Sequence, residues 1–565
     1  MHNKILRIGV WSLGGTLTLL LILCLIINVS IDHRQYEGVD TPTSGKTITY
    51  LLIDGLTKSA FERLLGEGKL PNIQKMMNSG IYVQNGIASF PTMTGYGFYP
   101  FLTGVDATKS GVLGLRWFDR SKTEGNLRNY VGRTNVQMNN DIRSDYSNLF
   151  EHFSENYTSS INTYMNKGVK HNQKTGWEMT SAKYEDATLF QVLQKIPYFG
   201  DRITFDYFKH ENRVTELAIE QLKRNPKVQW VTYATPDASH HIVGTTGEYF
   251  DLICHIDSLV GVIYSAIIDL GQSNDRMLAV ISDHGHSEVT YNLDLRENFK
   301  KDLNLEIERG ESAEVLTDEL TSPLEKFSTS DGYFVINGNL SAYLYLKNPT
   351  GTSDAEAWKK RLSLESLTNF PMGEKVISLP KYLVNIKGIE LVSYRANEST
   401  VFVQNKKGIG KIVMNENGAY QYLVSGQDPL DFTLFESTAI LMDSSFYSSA
   451  EWLKASVDSN YPDGLHRLYS LMSQPDAGDF VICSLENYDL ASDYEVFVGN
   501  YQGGHGGLRA EMISVPYILS NPAIKKQEIP FARAEDIGAT VLEFLDVSPK
   551  YSLDGRSLLD SRVRK

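Results

Sequence analysis

Thr47-Ile48-Thr49-Tyr50-Leu51-Leu52-Ile53-Asp54-Gly55 is the stretch on which the fold turns. The run before Asp54 is β-branched, aromatic or aliphatic throughout. It is too short for a core helix and apolar on both faces, as expected of a strand inside a parallel sheet. It ends on a carboxylate and a turn glycine, and ligands bind outside the carboxyl ends of strands in open α/β sheets. The pattern recurs twice. Val228–Ala234 runs into Pro236-Asp237-Ala238-Ser239-His240-His241, and Met277–Ile281 runs into Ser282-Asp283-His284-Gly285-His286. Helical text lies between, over Lys58–Leu65, over Pro71–Met77 with proline at its first turn, and from about Tyr249 to Leu270. The alternation predicts an α/β fold with a mostly parallel central sheet flanked by helices.

Two more phrases carry reactive groups: Pro91-Thr92-Met93-Thr94 and Gly503-Gly504-His505-Gly506-Gly507. With the strand ends they supply three aspartates, three histidines and a threonine hydroxyl. That is enough to hold two divalent cations beside an alcohol nucleophile. Asp237 and His241 are four apart, so one helical turn presents both to one ion. Asp283 and His284 are adjacent at a strand end, and His505 sits in a glycine frame where backbone must pass close to something. Oxygen and imidazole donors without thiolates suit zinc, with manganese as an alternative. Cations about 4 Å apart stabilise both the attacking and the leaving oxygen of a displacement at phosphorus. A neighbouring cation also activates a threonine hydroxyl such as that of Thr94. Gly95–Phe101 reads as a helix start whose amides favour phosphoryl oxygens. Taken singly, Asp54 reads as a strand-to-turn cap and Thr94 as a capping hydroxyl. His240 and His286 read as supporting or solvated side chains. The joint order of the phrases points to hydrolysis of a phosphate ester.

The bulk numbers set limits. A chain of 565 residues, 42% hydrophobic, buries a large core and more than one structural unit. A formal net charge of −14 argues against a nucleic-acid surface, so an anionic substrate must be attracted locally, by bound cations. Three cysteines exclude a disulfide framework. Ile8–Val29 carries no charge and is long enough to span about 30 Å of hydrocarbon. Lys4 and Arg7 precede it and no small-residue cleavage site follows. It therefore reads as an uncleaved single-pass transmembrane anchor, with the rest of the chain outside the cytoplasm.

The expected organisation is a cytoplasmic start and anchor over 1–33 and a stalk over 34–46. A first part of the catalytic core spans 47–295, with a looped excursion at 119–173. A β-rich cap insertion follows over 296–431, and the second part of the core covers 432–565. Alternating segments such as Ala342–Leu346 and Ser399–Gln404, separated by Asn337-Gly338 and Asn417-Gly418, mark the insertion.

The order Asp…Thr…Asp-x-x-x-His…Asp-His-Gly…Gly-His-Gly resembles the alkaline phosphatase superfamily, and within it the type I phosphodiesterase/nucleotide pyrophosphatase branch. Pro91-Thr92-Met93-Thr94 followed by Thr103-Gly104 matches that branch and selects Thr94 over Thr92 as nucleophile. The resemblance implies an alkaline-phosphatase-like core. It also implies one zinc on Asp237, His241 and His505 and another on Asp54, Thr94, Asp283 and His284. Two positions depart from it. Gly97 stands where family phosphodiesterases carry an asparagine that holds a phosphoryl oxygen, and Lys109-Ser110-Gly111 lacks the family histidine. The expected activity is hydrolysis of phosphodiester or pyrophosphate bonds, in a small-molecule or lipid substrate, through a phosphothreonine. Phosphomonoesterase and phospho-group transferase on lipids or glycans are the alternatives, followed by a degenerate member that binds without turnover. Oligomeric state is left open.

Overall fold

Thr47–Ile53 is a strand with every residue buried. The computed structural model describes Gly15 and residues 43–121, 127–130, 138–175, 206–309, 329–349, 354–490 and 501–559. The strand lies inside an eight-stranded sheet. The order is Gln527–Arg533, Gly80–Ile87, Ser514–Ser520, Arg276–Ile281, Thr47–Ile53, Val228–Tyr233, Ser159–Ile161 and His171–Gln173. Only Ser514–Ser520 runs against the rest. Alternate side chains of the central strand enter different cores, as the period of two requires. Leu51 and Ile53 join Phe61, Ile73, Val214, Ile253 and Val260 on one face. Ile48, Tyr50 and Leu52 join Phe98, Phe101, Trp230 and Val541 on the other.

Helices cover the first face. Thr57 caps Lys58–Gly66 by accepting the Ala60 N–H at 3.1 Å. The carboxylate of Asp257, on the long helix Gly247–Asp269, accepts the N–H groups of Asn72 and Ile73 at the start of Pro71–Met77. The long helix has the length and apolarity to cross a membrane, but Tyr249, Ile253, Ile256, Val260 and Ile263 pack against the sheet, so it is a core helix. The expected anchor over Ile8–Val29, apart from Gly15, lies outside the described residues, as does most of the stalk.

A second eight-stranded sheet holds the β-rich segment, in the order Ile307–Arg309, Gly332–Asn337, Ser341–Leu346, Phe480–Ser484, Ile389–Asn397, Thr400–Gln404, Gly408–Met414 and Tyr420–Gly426. Gly338 turns its first hairpin at φ +70°. The alternating text of Ser341–Leu346 suggests one wet face, yet the strand is buried throughout. Tyr343 and Tyr345 enter the cluster behind the main sheet, while Ala342, Leu344 and Leu346 face a third cluster.

Three strands differ in place from the sequence reading. Ser159–Ile161 and His171–Gln173, inside the stretch read as a loop, are the outer strands of the main sheet. They are three residues each, and main-chain pairing rather than an apolar run holds them. Phe480–Ser484, from the stretch read as returning core, lies between two strands of the second sheet. An apolar strand does not declare by composition which sheet it joins. Cys254 and Cys483 are both free thiols.

Candidate active site

The three strand-end phrases and the two loops converge at the carboxyl edge of the main sheet. Asp54 follows its strand directly, and its amide donates to the Tyr233 carbonyl at 2.9 Å. Asp237 and His241 share a face of the helix Thr235–Val243, one turn apart, with His241 Nε2 3.4 Å from Asp237 Oδ1. Asp283 and His284 leave the strand Arg276–Ile281 together. Ser282 Oγ ties this turn to the first strand end by accepting the Leu56 amide and donating to the His284 carbonyl. His284 Nε2 lies 3.4 Å from Asp54 Oδ1 and 3.7 Å from Asp283 Oδ2. Thr94 Oγ1 stands 3.1 Å from the same nitrogen. His505 Nε2 reaches to 3.7 Å from Asp237 Oδ1, and the His505 and His284 rings stack at 3.9 Å. All seven candidates thus line one cleft.

The histidines are oriented from behind. His241 Nδ1 donates to the Gly503 carbonyl at 2.9 Å, His284 Nδ1 to Gly285 at 3.1 Å, and His505 Nδ1 to Thr92 at 2.7 Å. A carbonyl only accepts, so each ring carries its proton on Nδ1 and turns a bare Nε2 inward. That is the arrangement found around metal-ligating histidines. Thr92 does not face the cleft. Its hydroxyl accepts the Gly506 amide at 2.8 Å and donates to the Gly507 carbonyl, which clamps the glycine loop. The hairpin turn of the second sheet grips the other side, with the amides of Asn339 and Leu340 both donating to the His505 carbonyl. A Cβ at Gly338 would strike that carbonyl at 2.6 Å, and one at Gly503 would strike His240.

Electrostatically the cleft is short of positive charge. Burial, then the charges of Asp283 and Asp237, push the Asp54 carboxyl well above its ordinary range. Burial and Asp237 push Asp283 up to about 8. Burial also raises Asp237, but His241, His505 and His284 outweigh it and hold this carboxyl low. Burial brings His284 down to about 4 and His505 and His286 well below the histidine range, so their nitrogens are lone-pair donors at neutral pH. Three carboxylates crowded with neutral imidazoles fit divalent cations. Donor atoms of Asp54, Asp283 and His284 lie within 4.8 Å of one another, as do those of Asp237, His241 and His505.

The sequence pattern of the type I phosphodiesterase / nucleotide pyrophosphatase family matches residues 49–363. The chain belongs to this family. It is a hydrolase acting on phosphate esters. Similar solved structures include murine ectonucleotide pyrophosphatase / phosphodiesterase 5 in an inactive form in complex with AMP, at 12% identity and TM-score 0.48, covering 91% of this chain and 97% of that one. Another is the human ectonucleotide pyrophosphatase / phosphodiesterase 5, at 13% identity and TM-score 0.49, covering 90% and 97%. No curated protein matches the chain.

The grip of the second sheet on His505 went unread in the sequence, because no local pattern announces it. His286, read as a supporting or solvated side chain, is fully buried, with its Nε2 2.9 Å from Asp237 Oδ1. Its neighbour His240 faces away, Nε2 being 3.0 Å from the Thr245 hydroxyl. A further acidic group, Asp106 with His466 and Glu535, is already neutralised by Arg467, which pairs with Asp106 at 2.9 Å and with Glu535 at 3.4 Å.

Proposed function

We propose that this chain hydrolyses phosphodiester or pyrophosphate bonds by way of a phosphothreonine on Thr94, with two divalent cations, zinc by donor type, held in the cleft. Asp237, His241 and His505 would hold one cation; Asp54, Asp283, His284 and Thr94 would hold the other. The observation that carries this reading is the inward turn of three Nε2 atoms toward three carboxylates beside one hydroxyl. When bound, the cations supply charge neutralisation for the phosphoryl oxygens and a lowered pKa for the adjacent hydroxyl.

Thr94 Oγ1 attacks phosphorus, and the leaving alcohol or phosphate departs with the proton that the hydroxyl gives up. Water then adds to phosphorus, and Thr94 Oγ1 leaves as a hydroxyl. Asp54 orients the nucleophile by accepting from Oγ1 at 3.4 Å. The amides of Tyr96, Gly97 and Phe98, directly after the nucleophile, already donate to the carbonyls of Thr94, Met93 and Gly95, so these three N–H groups are not free for phosphoryl oxygens.

Gly97 favours a second reading, as a phosphomonoesterase, because it offers no side-chain amide to a diester oxygen. The test offers purified protein with zinc p-nitrophenyl phosphate, its bis ester, a nucleotide-monophosphate diester and a phospholipid. Faster turnover of the diesters supports the main reading, and preference for the monoester overturns it. The apolar run Ile8–Val29 supports placement of this cleft outside the cytoplasm on a membrane anchor. Protease added to intact cells tests that placement, since a cytoplasmic cleft would be spared.

A further inference from the structure

One imidazole in the cleft has no task in this scheme. The His286 side chain has no exposed surface, and neither of its ring nitrogens makes a hydrogen bond. In this it differs from His241, His284 and His505, each of which has a backbone carbonyl behind it. The 2.9 Å approach of Nε2 to Asp237 Oδ1 lies off the hydrogen-bond axis, and that oxygen too is without an aligned donor. Buried polar atoms are seldom left in this state unless something else engages them. The backbone is also shaped around this ring. Gly55, at φ +69°, passes where a Cβ would meet His286 Nε2 at 2.6 Å and the Asp237 Cα at 3.1 Å.

Donor atoms of Asp237, His284 and His286 lie within 4.8 Å of one another. The trio draws one member from each end of the cleft: Asp237 also belongs with His241 and His505, and His284 with Asp54 and Asp283. The Nε2 of His284 can bind one ion at a time, because its Nδ1 is committed to the Gly285 carbonyl. A cation on the trio therefore excludes a complete set on the Asp54 side.

We infer that His286 completes a central, single-ion position, in which one divalent cation is held by Asp237, His284 and His286 before the two end positions fill. Arrival of a second cation draws His284 to Asp54 and Asp283 and releases His286. The inference rests on the two-cation reading above and adds an order of loading to it.

Metal-free crystals soaked in one equivalent of zinc, and then in excess, test this by anomalous scattering at the zinc edge. At one equivalent, a single peak bonded to His286, Asp237 and His284 is expected. In excess, two peaks at the ends are expected, with none on His286. A first peak on either end set, clear of His286, overturns the central position while leaving the two-cation reading intact. No peak at the ends in excess zinc overturns that reading as well. In solution, His286→Gln and His286→Leu should each weaken the first equivalent by more than the roughly 100-fold that marks an outer-shell partner, and strengthen the second by the same factor, because the doubly loaded form makes no contact with His286. A smaller loss, or none, overturns the inference.

Discussion

Thr94 Oγ1 lies 3.1 Å from His284 Nε2 and 3.4 Å from Asp54 Oδ1, so this hydroxyl touches an imidazole and a carboxylate at once. Thr94→Ala should abolish covalent phosphorylation and lower turnover on the order of 10⁴–10⁶-fold, the range seen when a covalent nucleophile is removed. Metal content should stay near that of the parent. Labelling with a radioactive phosphate ester and elemental analysis of the same sample check both halves.

Asp237 receives three imidazoles, His241, His286 and His505, around one oxygen. Asp237→Asn should release one cation per chain and abolish turnover, whereas Asp54→Asn should empty the other end. Chelation should silence the parent protein, and zinc should restore it. Full activity after exhaustive chelation, with no metal detectable, would contradict the assignment.

Gly97 leaves only tight space for the side chain it lacks. A Cβ there would lie 3.2 Å from the Asp283 Cβ and 3.3 Å from its carbonyl oxygen. Gly97→Asn, which installs the amide that family phosphodiesterases carry, should therefore displace Asp283 and reduce cation content and diester turnover together. A rise in diester turnover at full metal content would show that the cleft tolerates the change.

Asp257 ties two helices by taking the first free amides of one onto the flank of the other. Asp257→Ala should cost about 1–3 kcal/mol in urea unfolding, since the buried Ile73 amide and the part-buried Asn72 amide lose their acceptor. Specific activity of the folded fraction should not change.

Glu535 is buried beside Arg467. Burial pushes its carboxyl up to about 6 despite that guanidinium. The folded chain thus holds this proton more tightly than the unfolded one, where glutamate titrates near ~4.3. Its contribution to stability is complete at lower pH and is lost as the pH rises through about 6. In chelated protein, Glu535→Gln should remove that part of the decline. The difference in melting temperature between parent and variant, followed from acid to neutral pH, measures it. A difference that grows with the opposite sign would refute the assignment.

Much of the main sheet was legible because its three central strands are short, mostly apolar and β-branched runs that end on charged turns. Thr47–Ile53, Val228–Tyr233 and Arg276–Ile281 needed no tertiary knowledge to place. Six of the cleft residues were legible for the same reason, since strand ends and a four-glycine loop are where an α/β sheet gathers ligands, whereas Thr94 was set apart from Thr92 only by the family resemblance. The rest depends on contacts made across the chain. Ser159–Ile161 and His171–Gln173 are strands by virtue of their neighbours. Nothing in Asn337-Gly338-Asn339 says that this turn will hold the backbone of His505. His286 sits two residues from a strong candidate, and spacing alone does not reveal that both of its nitrogens are buried and unclaimed.

Phe480–Ser484 pairs with Ser341–Leu346 on one side and with Ile389–Asn397 on the other. During synthesis those two neighbours emerge long before the strand that joins them, and each waits with an open row of amides and carbonyls. A ribosome stalled ahead of residue 480 would hold two half-sheets with raw edges. The same late segment leads on to His505, so closing the second sheet and finishing the cleft are consecutive events in the birth of the molecule.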